Sequence, residues 1–240
     1  AANPPELIKI DKTASAHGER RIDDIEGLDA ALDSIAAHSR DANATLPTLL
    51  TVSLARGIAT CHFAESVALP APWKGEDQRW QIELGSAKEG EDVLPPYPML
   101  VSVGRHDTGD LCLVNLEPLG SAYLTGDANT SIAFARHAAA ELALNPWSIL
   151  VQTETFGIGT ELGDMDTLRL RAHDADQPAA DSAVRELQRP GRQYGDEPDP
   201  WLVVITPSVD VAPIAEAARA TATGRFGAMV MTIAGDPTPE

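Results

Sequence analysis

The chain has few aromatic residues, few cysteines and no long apolar run. Phe, Trp and Tyr make up 5% of its 240 residues, so its core must be packed mainly from small aliphatic side chains. The two cysteines, Cys61 and Cys112, form no C-x-x-C pair, which favours buried free thiols in a reducing compartment; the alternative is a disulfide between them. No apolar run approaches the roughly 20 residues of a membrane-spanning helix. We therefore expect no direct membrane insertion by this segment.

Basic residues are also scarce. The chain has 18 Lys and Arg against 36 Asp and Glu, a formal net charge of −18. This charge repels nucleic-acid phosphates and anionic lipid headgroups. We therefore expect a protein partner, either a basic protein or a second copy of the chain, and no nucleic acid. The histidines show no H-x-x-x-H spacing, so no metal site is predicted.

The first part of the chain predicts a small α+β unit. Residues 1–20 are polar and proline-bearing, which indicates a flexible arm. From Ile22 to about His38, apolar residues recur at every third or fourth position, which predicts an amphipathic helix. Short alternating runs follow, so residues 21–94 are predicted as an α+β subdomain. The chain starts without methionine, and we expect it to be a piece of a longer protein.

The second part, residues 95–240, predicts an α/β domain. A hairpin is predicted around His106–Asp110, and strands then alternate with helices at 129–144, 178–188 and 211–221. Strands such as Leu202–Ile205 are apolar throughout, which is typical of a parallel sheet covered on both faces. The expected fold class is α/β, with a mostly parallel sheet, helices on both faces and a preceding small α+β subdomain.

The segment Leu124–Ser131 has the strand–turn–helix setting of a phosphate-binding loop. Helix N-termini bind anions through free N–H groups, so the candidate cofactor-binding residues are Gly126, Asp127, Asn129, Thr130 and Ser131. The segment has one glycine, an aspartate where phosphate would lie, and no lysine. The other interpretation is that Asp127 or Asn129 caps the helix.

The triplet Asp107-Thr108-Gly109 matches the motif of aspartic proteases. Those enzymes need two such loops facing each other, and this chain has one. We interpret the triplet as a tight turn.

Residues 97–234 resemble the P-loop domains of the FtsK and type VII secretion EccC ATPases. The resemblance rests on the hairpin at Val103–Gly109, the loop at Leu124–Ser131, the Pro200–Ile205 strand and the terminal Phe226–Thr232 segment. In this family a lysine closes the loop, where Asn129 or Thr130 stands here. Acidic residues follow the second strand, where Thr206 and Pro207 stand here. The resemblance therefore implies a degenerate P-loop-like domain.

From about residue 22 the chain also resembles a cytoplasmic segment of large actinobacterial membrane proteins with LysM or BTAD modules. The phrases LVNLEPLGSAYLTGD, AAELALNPWS and PWLVVITP carry this resemblance. It implies a cytoplasmic location, with a membrane tether outside these residues. We expect a non-catalytic ATPase-like scaffold or protein-interaction domain, without catalytic residues or cofactor. The alternative is a divergent nucleotide-binding NTPase domain.

Overall fold

The computed structural model describes residues 24–87, 93–164, 169–173, 201–207 and 228–233, which form two β-sheets, two α-helices and three short 3₁₀ helices. Helix α1 covers residues 24–41, and helix α2 is Ala128–Leu144. The strands are β1 (Leu49–Ala55), β2 (Ile58–Phe63), β3 (Lys74–Glu76), β4 (Arg79–Glu83), β5 (Leu100–Arg105), β6 (Leu111–Asn115), β7 (Ser121–Leu124), β8 (Val151–Phe156), β9 (Leu170–His173), β10 (Trp201–Pro207) and β11 (Ala228–Ile233). The arm predicted at 1–20 and the helices predicted at 178–188 and 211–221 lie outside the described residues.

The first sheet is antiparallel and has the strand order β3-β4-β2-β1-β6-β5. The hairpin between β1 and β2 turns at Arg56 and Gly57, whose φ angles are 52° and 75°. Two successive residues at positive φ match the right-handed twist of the strands they join. Ala55 therefore pairs directly with Ile58, and the two strands stay in register as far as Thr51 opposite His62, before the register shifts between Leu49 and Thr51.

Helix α1 covers one face of the antiparallel sheet. Its residues Leu28, Leu32 and Ile35 are fully buried, at the i, i+4, i+7 spacing of one helix face. They join a core that includes Val52, Phe63 and residues from every larger strand of this sheet. The Trp73 indole N–H donates to the hydroxyl of Ser34 at 3.0 Å, which ties the long loop before β3 to the helix.

The two cysteines are free and lie on opposite faces of the antiparallel sheet. Cys61 pairs with Val52, whereas Cys112 pairs with the next residue, Ser53. Because successive residues of a strand point to opposite faces, the two thiols face away from each other. Burial raises the pKa of Cys61 to about 12, so this thiol stays protonated at neutral pH.

The second sheet is parallel throughout and has the order β7-β11-β10-β8-β9. Helix α2 packs on one of its faces, where alanines at 135, 138, 139 and 143 share one hydrophobic core with Val203, Ile205 and Met229. The five-stranded parallel sheet is compatible with the predicted α/β class, while helices on both of its faces stay a prediction. The small alanine side chains allow helix α2 to lie close to the sheet. The core can therefore be well packed although it contains few aromatic residues.

Strands β5 and β6 belong to the antiparallel sheet, although the sequence predicts them as part of the α/β domain. Strand β6 pairs with β1, with Val52 opposite Leu113 and Thr51 opposite Val114. Strand β5 forms the sheet edge, and its two sides enter different cores. Leu100 packs with helix α1, and Val101 packs with helix α2. Whether 21–94 and 95–240 fold as separate units stays a prediction.

No helix in the described part of the chain combines the length and the apolar composition needed to cross a bilayer.

The packing of α2 predicts a large difference between two neighbouring leucines. Leu142 is fully buried, whereas Leu144 is 64% exposed. We expect Leu142→Ala to lower the free energy of unfolding by about 2–5 kcal/mol, because it leaves a cavity between helix and sheet. Leu144→Ala is the control and should change it by less than about 0.5 kcal/mol. Urea denaturation measures both values, and equal losses would contradict this packing.

Candidate functional site

The connection between β7 and α2 is only three residues long. Strand β7 ends at Leu124 and α2 begins at Ala128, so residues 125–127 alone join them. Gly126 has a φ of 107°, a conformation that favours glycine. The other residues of the predicted eight-residue loop belong to the end of β7 and to the first turn of α2. The structure thus brings the five predicted residues together at a helix N-terminus, without a long loop around it.

The carboxylate of Asp127 lies at this helix N-terminus. Its Oδ1 accepts hydrogen bonds from the backbone N–H and the hydroxyl of Thr130, both at 2.8 Å. The backbone bond from Thr130, followed by its hydroxyl bond, lowers the pKa of Asp127. The side chain satisfies donors that would otherwise face a bound anion. The capping interpretation of Asp127 therefore describes the geometry.

The other predicted residues of this junction differ in exposure. Asn129 and Thr130 face solvent, whereas Ser131 is 6% exposed and its backbone N–H donates to the Asp127 carbonyl at 2.9 Å. In a phosphate-binding loop, the serine at the start of the helix presents its hydroxyl to the magnesium ion beside the phosphate. The side chain of Ser131, at the corresponding place in this junction, is instead buried. Nucleotide binding at Gly126, Asp127, Asn129, Thr130 and Ser131 stays a prediction.

The end of β10 lies at the same edge of the parallel sheet as this junction. Leu124 pairs with Ile233, which pairs in turn with Pro207, so β11 separates β7 from β10. Two strand spacings correspond to about 10 Å. The two positions at which the resemblance implies catalytic groups, after β7 and after β10, are therefore neighbours in space. The residues that end β10 are Thr206 and Pro207, neither of which carries a charge.

An acidic residue lies nearby, but on β8. Glu154 is 3% exposed, and its Oε2 lies 2.7 Å from Nε2 of His173, while its Oε1 lies 3.5 Å from Arg171. The His173 ring stacks on Phe156 at 4.6 Å. Both carboxylate oxygens thus face neighbouring side chains of the sheet. No local sequence pattern predicts this cluster, because only the register between β8 and β9 brings Arg171 beside Glu154.

A second polar cluster joins β5 to α2. The backbone N–H and the hydroxyl of Ser102 donate to the carboxylate of Glu141, at 2.6 and 2.8 Å. Nε2 of His137 lies 2.8 Å from the Ser102 hydroxyl oxygen. The three side chains line one end of a pocket of about 300 Å³, together with Asn145 and Trp147. The pocket lies where helix α2 and the antiparallel sheet meet.

This cluster does not have the geometry of a serine hydrolase. In a catalytic triad the acid binds one ring nitrogen of the histidine, and the serine faces the other. Here Glu141 Oε1 lies 3.5 Å from His137 Nε2, the nitrogen that also faces Ser102. Ser102 is moreover 7% exposed, and its hydroxyl bonds directly to the carboxylate. The arrangement holds β5 against α2 and presents polar atoms to the pocket.

This second site was not predicted, although the sequence carries a signal for it. His137, Glu141 and Asn145 follow one another at intervals of four, which places them on one face of α2. The sequence does not show that Ser102 meets this face, because 35 residues separate it from His137. Within the described ranges, no group of three or more His, Cys, Asp or Glu side chains could hold a metal ion.

The Asp107-Thr108-Gly109 triplet forms a hairpin turn between β5 and β6. The backbone N–H of His106 donates to the carbonyl of Asp110 at 2.9 Å, and Gly109 has a φ of 90°. The turn interpretation therefore describes this segment.

Comparison with known proteins yields only weak similarity, and only to solved structures. No protein-family model and no curated protein sequence matches the chain. Among solved structures, the chain is similar to EccC of Thermomonospora curvata (ATPases 2 and 3, in complex with a signal sequence peptide), with 14% identity and a TM-score of 0.42. The match covers 58% of this chain and 29% of the EccC chain, so it spans less than a third of that protein. The P-loop-like assignment stays a prediction.

The cap formed by Asp127 predicts a pH-dependent contribution to stability. Because its pKa is lowered in the folded protein, the ionised carboxylate stabilises the fold. This stabilisation is fully present above the ordinary aspartate pKa, about 4, and is lost as the pH falls through the folded-state value. We expect Asp127→Ala to lower the urea midpoint at about pH 6, and this difference to shrink towards about pH 3.

Asp107→Ala is the matched control for this experiment, since it removes an exposed carboxylate from a turn. It should change the urea midpoint little at either pH. A loss for Asp127→Ala that is the same at both pH values would contradict the electrostatic role of the cap.

Proposed function

We propose that this chain is an ATPase-like α/β domain that does not hydrolyse nucleotide and serves as a protein-interaction module. In this proposal it is the cytoplasmic part of a larger, membrane-tethered bacterial protein of the LysM or BTAD type. The observation that carries the non-catalytic part is the Asp127 carboxylate at the N-terminus of α2. A negatively charged side chain already occupies the position at which a bound phosphate would accept hydrogen bonds from the N–H groups of the helix.

A second feature at the same sheet edge supports the absence of hydrolysis. Nucleotide hydrolysis depends on positive charge around the transferred phosphoryl group and on an acid that helps to hold magnesium. The junction between β7 and α2 contains no lysine, and β10 ends in Thr206-Pro207. The buried acid of the sheet, Glu154, faces His173 and Arg171. The missing lysine and the missing acidic residues are two separate defects. Together they favour the loss of nucleotide hydrolysis over hydrolysis by an unusual set of residues.

The surface supports the interaction part of the proposal. The net charge of −18 favours partners with basic surfaces. Strand β7 is an edge of the described parallel sheet, and such edges present backbone groups that another chain can pair with. Two large apolar side chains are exposed in and just before this strand, Tyr123 at 57% within β7 and Leu119 at 50% two residues before it. We propose a basic protein as the partner.

The proposal predicts that Mg-ATP does not stabilise the protein. We expect the melting temperature to stay unchanged with Mg-ATP or Mg-GTP, and phosphate release to equal that of buffer. Asp127→Ser is the informative variant, because serine still caps the helix but removes the charge. If the carboxylate is what excludes anions, this variant should gain a rise in melting temperature with inorganic phosphate.

A rise in melting temperature of the unaltered protein with Mg-ATP, abolished by substitution of Gly126 or Ser131, would instead support the alternative of a divergent NTPase. Turnover above background would also contradict the proposal. Thr108→Ser, in the distant β5–β6 turn, is a control for nonspecific effects of substitution.

The two kinds of partner differ in the expected effect of salt. Binding to a basic protein weakens as salt screens the attraction. Self-association of a chain with net charge −18 should instead strengthen, because salt screens the repulsion between copies. We expect sedimentation at about 0.05 M and about 0.5 M NaCl to show a monomer at both concentrations. Dimers that increase with salt would favour a second copy as the partner.

A further inference from the structure

The pocket between α2 and the antiparallel sheet presents charges of both signs beside an apolar wall. Its volume of about 300 Å³ lies at the lower end of the range for ligand pockets. The apolar part of the wall consists of Ile25, Leu54, Leu84, Leu111, Leu113 and Trp147. The charged part consists of Asp24, Arg56, Arg105, Asp110 and Glu141. This lining suits a small ligand that has both an apolar part and charged groups.

The register of the antiparallel sheet arranges the side chains of the pocket in two rows. One row runs from Arg105 on β5 to Leu111 on β6 and Leu54 on β1. The next row on the same face runs from Ser102 on β5 to Leu113 on β6. Because the two β6 residues are two positions apart, the rows are about 7 Å apart along the strands. Both rows thus begin at the edge strand with a polar residue and continue with leucine.

Glu141 brings a negative charge to the row that begins at Ser102. The backbone N–H and the hydroxyl of Ser102 donate to its carboxylate at 2.6 and 2.8 Å. The Glu141 side chain is still 25% exposed, and an ionised carboxylate has about four acceptor positions. Its carboxylate can therefore accept further hydrogen bonds from a ligand in the pocket.

The end of helix α2 adds to the negative potential at this side of the pocket. Glu141 lies in the last turn of the helix, and this turn contains no basic residue. The C-terminus of a helix carries a partial negative charge that favours cations. A ligand ammonium group beside Glu141 would interact with both the carboxylate and the helix terminus.

Arg105 brings a positive charge to the neighbouring row. Its exposed guanidinium donates one hydrogen bond, from Nη1 to the Gly109 carbonyl at 2.8 Å, and has five N–H donors in all. In the ranges that the structure describes, neither Arg105 nor Arg56 forms an ion pair with a carboxylate of the pocket. The remaining donors of Arg105 can therefore bind a ligand carboxylate.

Two opposite charges on neighbouring rows favour a ligand that also carries both charges close together. A ligand with one charge would cover both Glu141 and Arg105 but pair with only one of them. Covering an unpaired charge costs free energy. An α-amino acid carries its ammonium and carboxylate groups on the same carbon atom, and an apolar side chain on that carbon can reach the leucines.

We propose that this pocket binds a free α-amino acid with an apolar side chain. Its ammonium group lies at Glu141, its carboxylate at Arg105 and its side chain against Leu111 and Leu113. The pocket lies away from the β7–α2 junction, so this proposal does not rest on the absence of nucleotide hydrolysis.

Three probes with the same phenyl group test the ligand class: L-phenylalanine, phenethylamine and 3-phenylpropionate. Phenethylamine lacks the carboxylate, and 3-phenylpropionate lacks the ammonium group. We expect L-phenylalanine to shift the backbone amide NMR signals of Arg105 and Leu111 saturably in the full chain. The other two should bind at least about tenfold more weakly, because each leaves one charge of the pocket unpaired. L-leucine is tested alongside as a smaller amino acid.

Arg105→Gln tests the position of the carboxylate. This side chain is exposed, so the melting temperature should change little. The variant should bind L-phenylalanine about tenfold more weakly, and its affinity for phenethylamine should not change, because that probe has no carboxylate. Arg79→Gln is the matched control, since Arg79 is an exposed arginine of β4 outside the pocket, and it should leave all affinities unchanged.

Glu141→Gln tests the position of the ammonium group in the same way. It should weaken binding of L-phenylalanine and phenethylamine but not of 3-phenylpropionate. Its melting temperature shows whether it folds, and if it does not, Arg105→Gln decides the test.

Three results would each overturn the proposal. These are binding of phenethylamine or 3-phenylpropionate as tight as that of L-phenylalanine, no saturable binding of L-phenylalanine or L-leucine, and unchanged affinity for L-phenylalanine in Arg105→Gln.

Discussion

The edge strand β5 is the element on which the relation between the two sheets depends. Its successive residues enter different cores, Leu100 beneath helix α1 and Val101 against helix α2. Three hydrogen-bonding groups of the α2 region hold it in place. The Trp147 indole donates to the Leu100 carbonyl at 2.9 Å, the Ser148 hydroxyl to the Pro98 carbonyl at 2.7 Å, and Glu141 accepts from Ser102. Because these groups are buried or half-buried, loss of one partner would leave another unsatisfied.

Helix α2 links the two sites of the molecule, which are the β7–α2 junction and the pocket beside Ser102. At its beginning, the N–H groups that could bind an anion already face the carboxylate of Asp127. An intramolecular carboxylate is always present at the helix terminus, whereas an external phosphate would have to displace it. Towards its end, the stripe of His137, Glu141 and Asn145 faces the pocket. The first site is thus satisfied within the chain, while the second presents charged and apolar side chains to a pocket.

Local sequence patterns were enough to predict most of the elements. The amphipathic helix α1 and the apolar strand β10 each carry a pattern within a few residues, and the structure places both elements as expected. Strand β3 was missed, because Lys74–Glu76 is short and fully exposed and forms only by pairing with β4. Its hydrogen-bond partner, rather than its own side chains, determines its conformation.

The sequence by itself determined the α/β class, the strand–turn–helix at Leu124–Ser131 and the capping capacity of Asp127, because periodicity and capping act over a single turn or strand. Only the tertiary structure decided that β5 and β6 join the antiparallel sheet and that Glu154 meets His173. It also decided that Ser102 meets the face of α2 at a pocket. These features depend on pairing between residues far apart in the chain, and register across strands is set by the packing of whole faces.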